Sequence, residues 1–229
     1  MKVIVSIGGS VLVPSVDSQR VGEYADVIER LADAGHTLGI VVGGGPTARE
    51  YIEVGRELGA NEIELDQLGV AVTRLNARLL VAALDDRAAT TPPRDHETAR
   101  EAIRRGDIPI MGGTVAGHTT DAVGTALAEY VDADLLIYAT SVPGVFDADP
   151  NSVDSATQFD SLTPGQLVDV VGDIAMEAGS KAPVDLLAAK LLERSGLRAV
   201  VLDGTDPSAL ESAIGGEHSG TDIVPEDEQ

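Results

Sequence analysis

Short β-branched runs alternate along this chain with longer segments whose apolar residues recur at helical spacing. Val3-Ile4-Val5 predicts a strand, and Arg20 to Ala34 a helix with Val21, Tyr24, Ile28 and Leu31 on one face. Leu38 to Val42 is a second strand that runs straight into Gly43-Gly44-Gly45. Pro46 then opens a helix at its first turn, where a missing N–H costs least. Ile63 to Leu84 predicts a long Ala- and Leu-rich helix, Ala88 to Arg94 a loop, Glu97 to Arg105 a short helix and Ile108 to Met111 a strand.

A second cycle follows. Gly112 to Asp121 is a Gly/Thr loop, succeeded by a helix through Tyr130 and a buried strand from Asp134 to Ala139. Thr140 to Ser161 is long and irregular. Thr163 as N-cap and Pro164 start another helix. Val184 to Arg194 is helical, Arg198 to Leu202 a strand, Pro207 to Ile214 a helix, and Ile223-Val224 an edge strand. This alternation predicts an α/β fold with a largely parallel sheet and helices on both faces. A composition shift near Asp132 suggests two lobes, residues 1–132 and 133–229, sharing one sheet within a single domain.

Composition narrows the partners. A net charge of −22 argues against nucleic acid and against an anionic membrane, both of which call for clustered Lys and Arg. The hydrophobic content of 43% is enough for a sizeable core, so the acidity is not that of a disordered tail. Lys2, Lys181 and Lys190 are the only lysines. Acidity combined with lysine depletion suits molar salt, where self-repulsion is screened within about 3 Å. No cysteine is present, which excludes disulfides and thiolate chemistry. The start of the chain reads as a strand and not a leader, and no apolar run approaches the ~18 residues of a membrane span, so a cytoplasmic location is expected.

Three glycine-rich loops, Gly8-Gly9-Ser10, Gly43-Gly44-Gly45 and Gly112-Gly113-Thr114, sit at strand carboxyl ends, where such sheets bind ligands. Their amides can approach an anion closely, which points to a phosphate-rich ligand. None completes a P-loop or a dinucleotide fingerprint. Arg49, one turn beyond Gly45, can reach back with a guanidinium fork suited to phosphoryl oxygens, or can be a surface helix arginine. Thr114 to Asp121 is the densest polar segment. His118 there reads equally as a ligand contact or a solvated loop residue, and Asp121 as a functional carboxylate or a helix N-cap. The four scattered histidines lack metal-ligand spacing, so no metal site is expected on the chain itself.

Five segments then occur in order: IGGSVL at 7–12, VVGGGPTAREYI at 41–52, GVAVTRLNARLL at 69–80, MGGTVAGHTTDAVG at 111–124 and GVFDADP at 144–150. Together they resemble the archaeal uridylate kinases of the amino-acid kinase family over nearly the whole chain. The resemblance implies a three-layer αβα sandwich with a central, mostly parallel sheet. It implies transfer of the ATP γ-phosphate to UMP, dependence on Mg²⁺ and a homohexamer. It also implies a UMP-side first lobe and an ATP-side second lobe.

Residue by residue, the resemblance implies that Gly9 and Ser10 hold the phosphates of ATP and that Gly44 touches UMP. Gly45 and Arg49 face the phosphates near the transfer point. Asp66 binds the UMP ribose, and Thr114, Val115, Ala116, Gly117, His118, Thr119 and Thr120 contact UMP. Thr140, Phe146 and Asp149 surround the base and ribose of ATP. Asp121 orients the basic groups at the transferring phosphate, with Asp185 close to that centre. One departure stands out. Many amino-acid kinases carry a lysine at the end of the first strand, where this chain has Ser6, a loss that the archaeal uridylate kinases share. The later family lysine aligns with Pro183, two residues after Lys181. Arg49, Mg²⁺ and Lys181 are then the candidates for the missing charge. A kinase with another acceptor, such as isopentenyl phosphate, and a molybdate storage protein of the same fold are the competing readings.

Overall fold

The structure, a computed structural model, describes residues 1–148, 150, 153, 155–176 and 183–225. Its strands are β1 (Lys2–Ile7), β2 (Thr37–Val42), β3 (Ile110–Met111), β4 (Leu135–Thr140), β5 (Ser161–Leu162), β6 (Ala199–Asp203) and β7 (Thr221–Ile223). They form one seven-stranded sheet in the order β3-β2-β1-β4-β6-β7-β5. Every pairing is parallel except the antiparallel β6–β7 pair.

Alternation along the strands splits the core into two layers, because successive side chains point to opposite faces. Val3, Val5 and Ile7 of β1, with Leu135 and Ile137 of β4, meet α2 (Ser18–Asp33) and α4 (Glu62–Ala83) on one face. Ile4, Leu136 and Tyr138 face the other layer. That layer is built from α5 (His96–Arg105), α6 (Thr120–Tyr130), α7 (Pro164–Met176) and α8 (Leu186–Ser195). The expected three-layer α/β sandwich is what forms. Among the described residues no helix is long and apolar enough to cross a membrane.

Helix starts follow the local chemistry. Asp17 caps α2 through Gln19 N at 2.7 Å, and Asn61 and Glu64 close a reciprocal capping box at the start of α4. Thr163 and Gln166 exchange the same pair of bonds before α7. Two expectations need correction. The strand at Thr221–Ile223 is not an edge strand, since it lies between β6 and β5. The edge is Ser161–Leu162, at the point where the sequence ends an irregular segment and signals no element. Two residues are too short to show a period, and they become a strand only through pairing with Asp222 and Ile223 of β7.

Candidate active site

Two strand-to-helix turns meet at the carboxyl end of the sheet. β1 ends at Ile7 and passes through Gly8 into the short helix α1 (Gly9–Leu12). Its neighbour β2 ends at Val42 and passes through Gly43-Gly44 into α3 (Gly45–Glu57). The turns touch backbone to backbone. A Cβ on Gly9 would lie 2.1 Å from Gly45 N and 2.5 Å from the Gly43 carbonyl carbon. Gly45 has φ +65°, and a Cβ there would meet Gly9 O at 2.4 Å. Only glycine permits both the approach and that dihedral. Among the described residues, the amides of Gly9, Ser10, Gly44 and Gly45 donate to no protein acceptor. Such free amides suit phosphoryl oxygens. Exposed Arg49, one turn into α3, hangs over the crossing with its guanidinium nitrogens 3.3 and 3.4 Å from Ser10 Oγ.

The crossing is braced from below. Asn76 of α4, only 4% exposed, donates its Nδ2 to Gly43 O at 2.9 Å and to Gly44 O at 3.2 Å. One turn earlier, Thr73 Oγ1 accepts Gly113 N at 2.7 Å and donates to Val70 O. Arg74 donates to the carbonyls of Gly113 and Thr114 at 3.0 and 2.9 Å. Asp66, near the start of α4, accepts Gly117 N at 2.7 Å. Thus α4 holds the loop from Gly113 to Gly117. Thr114, Val115 and Ala116 line a depression of about 370 Å³ with Gln67, Val70, Ala71 and Arg74. His118 is exposed on the loop.

Carboxylates gather at the far end of this loop. Thr119 caps α6, its Oγ1 accepting Ala122 N at 3.1 Å, so Asp121 is not the cap and points elsewhere. It accepts a hydrogen bond from Ser6 Oγ at 2.9 Å. Burial, reinforced by the charge of Asp185, raises the Asp121 pKa to about 6, while the Ser6 bond acts against the rise. Asp185 caps α8 through Leu187 N at 2.8 Å and Ala188 N at 3.2 Å, and its other oxygen accepts from the Thr119 hydroxyl. Beneath Asp121, Thr125 Oγ1 donates to the Asp121 carbonyl at 2.8 Å and pairs with Tyr138 OH at 2.6 Å. Burial holds the Tyr138 phenol well above its ordinary pKa, so it stays neutral.

The structure therefore brings Gly9, Ser10, Gly44, Gly45 and Arg49 to one crossing. It ties Asp66 to the loop carrying Thr114, Val115, Ala116, Gly117, His118, Thr119 and Thr120, and it sets Asp121 beside Asp185. Thr140 ends β4 next to β1, where its Oγ1 folds onto Val142 O and N at 2.9 and 3.1 Å. Phe146 is half-buried and bridges to Gln158, on a loop held by Thr221. Asp149 and Lys181 lie outside the described residues. Sequence reasoning gave no role to Thr73, Arg74, Asn76, Thr125 or Tyr138. The signal was there in part: Thr73 and Asn76 are polar, three apart, and fall in the buried stripe of α4 beside Val72, Ala77 and Leu80.

A mostly parallel sheet between helix layers, with glycine turns presenting free amides at the strand ends, defines a phosphoryl-binding α/β protein. The amino acid kinase family matches residues 1–203, and this chain belongs to that family. It is 66% identical over 227 residues to the uridylate kinase of Haloarcula marismortui, covering 99% of this chain and 100% of that one. The uridylate kinase of Halobacterium salinarum strain R1 is 64% identical, with 99% and 94% covered. The crystal structure of uridylate kinase from Archaeoglobus fulgidus superposes with a TM-score of 0.89 at 46% identity, covering 98% of this chain and 100% of that chain.

Proposed function

We propose that this chain is a nucleoside monophosphate kinase that transfers the ATP γ-phosphoryl group to UMP, giving UDP. The observation that carries the reading is the contact of the Gly8–Ser10 and Gly43–Gly45 turns beneath Arg49. Donor and acceptor phosphates each need a cradle of amides, and transfer needs the two cradles within one phosphoryl length. Full-length relatedness to uridylate kinases supports the choice of acceptor. ATP phosphates lie along Gly9 and Ser10, with Gly45 and Arg49 facing them near the transfer point, and UMP lies against Gly44. Asp66 takes the UMP ribose, and Thr114 to Thr120 read the uracil and its phosphate. Thr140, Phe146 and Asp149 flank the adenosine.

In the transfer, an oxygen of the UMP phosphate attacks the γ-phosphorus in line while the bond to the ADP oxygen breaks. The free amides and Arg49 stabilise the charge spread over the equatorial oxygens. Asp121 orients the basic groups at this point, with Asp185 beside it, and Lys181 is a further candidate for the missing positive charge. No cysteine is present to act as a nucleophile, consistent with direct transfer. Among the described residues no three His, Asp or Glu side chains gather as a cation cage. Mg²⁺ carried in with the nucleotide would supply charge neutralisation during transfer.

The same reading includes a cytoplasmic enzyme working in molar salt as a homohexamer. The charge of −22 supports the salt requirement. Tyr51, Val54 and Leu58 of the α3 segment and Leu75 and Leu79 of α4 supply exposed apolar surface for association, Leu58 being 83% exposed. A coupled ADP-release assay across a KCl series, with UMP, CMP and isopentenyl phosphate as acceptors, tests the function. UMP-dependent turnover that rises with salt is expected. Turnover with isopentenyl phosphate and none with UMP would replace the acceptor. Light scattering in the same buffers reads the assembly.

A further inference from the structure

Ser6 is the one polar side chain on a strand that is otherwise apolar from Val3 to Ile7, and it is only 2% exposed. It lies on the face of β1 that carries Ile4, opposite Tyr138 of β4 in register. Helix α6 sits directly on it, since a methyl on Gly124 would come within 3.3 Å of Ser6 Cβ. In that contact the hydroxyl has one described partner, Asp121 Oδ1, at 2.9 Å. A buried hydroxyl aimed at a half-buried carboxylate is a costly arrangement unless the pair is kept bonded.

Resting on the kinase reading above, we infer that Ser6 is a positioning residue for phosphoryl transfer, its hydroxyl holding the Asp121 carboxylate in place where many related kinases use a lysine. The two solutions differ in physical character. A lysine would add a positive charge beside the transferring group. A serine adds none, and instead orients the carboxylate and favours its ionised form through a charge-assisted bond. The groups facing Asp121 from the packed elements are Ser6 of β1, Asp185 at the start of α8, Thr125 on its own helix and Tyr138 of β4. Asp185 pushes toward protonation, Tyr138 is neutral, and Thr125 is spent on the Asp121 carbonyl. Ser6 is therefore the described group that works against the rise.

The test compares wild type with Ser6→Ala, and Ser6→Thr with Ser6→Val, by kcat and KM from pH 5 to pH 8 in molar KCl, with thermal melting alongside. Ser6→Ala should lower kcat about tenfold at neutral pH, as loss of a hydrogen bond to a charged group implies. KM for both nucleotides should stay unchanged, and the acid limb of the kcat profile should move upward by about one pH unit. The Thr and Val variants have the same shape and differ in the hydroxyl, so Thr should recover most of what Val loses even if the alanine variant folds poorly. A Ser6→Ala profile superimposable on wild type, or equal kcat in the Thr and Val variants, overturns the role of Ser6 while leaving the kinase reading intact. A wild-type chain that forms no UDP overturns both.

Discussion

Around the crossing of the two glycine turns, buried polar side chains fix the main chain. Asn76 holds the Gly43 and Gly44 carbonyls, Thr73 holds the Gly113 amide, and Ser6 holds Asp121. The loop after β4 is held differently. Thr140 donates to Val142 O of its own loop and to Leu202 O of β6, Phe146 relies on a main-chain bridge to Gln158, and Val145 N donates to Thr221 Oγ1. The first region is locked by groups rooted in a long helix and a central strand, so a shift there disturbs the core. The second is anchored to β7 through buried Thr221 and Val145, while Ser141, Pro143 and Asp147 around that anchor are exposed. That suits chemistry in the first region and adjustable base contacts in the second.

The sharpest way to break this contrast is Gly9→Ala. Its methyl would meet backbone atoms that cannot swing aside, so UDP formation should fall more than about a thousandfold, with a lower melting temperature. Activity within tenfold of wild type would mean that the crossing yields after all. Asp121→Asn should cost on the order of a hundredfold or more in kcat while stabilising the fold near neutral pH. Burial raises this carboxyl from 3.8 to about 6, so as pH climbs from 3.8 through 6 the unfolded chain sheds the proton first and stability is lost. The asparagine variant escapes that loss. Its melting temperature should exceed wild type by a few degrees above pH 6, with the gap closing below pH 4.

Arg49→Ala comes next. The side chain is exposed, so melting should not change while kcat/KM falls roughly a hundredfold. The mildest effect is expected in the second region. Phe146→Ala should raise KM for ATP by about threefold to tenfold and leave KM for UMP alone. A larger loss than Arg49→Ala would reverse the comparison.

Much of the architecture is legible in the sequence because β-branched runs and helical periodicity report burial directly, as at Val3–Val5 and along Val21, Tyr24, Ile28 and Leu31. The glycine triplets mark the site for the same reason, since close backbone approach leaves no alternative residue. What escapes is whatever depends on a distant partner. Ser161–Leu162 is a strand only because Asp222 and Ile223 lie beside it. Asn76 reads as an ordinary helix residue until the Gly43 and Gly44 carbonyls are placed over it. Asp121 reads equally as a cap or a functional acid until Thr119 takes the capping bond and Ser6 claims the carboxylate.

The margins of the sheet have a consequence for how copies of this chain can meet. Both outer strands, β3 and β5, are two residues long. Beyond β3 the segment around Ala88 bonds to Ile108 and covers part of what would be open edge. A ladder so short offers a second chain too few free amides and carbonyls to zip onto, which removes the usual route to runaway strand-to-strand aggregation. If copies associate through the outer faces of α3 and α4, as proposed, a single added charge there should disperse them without loosening one strand.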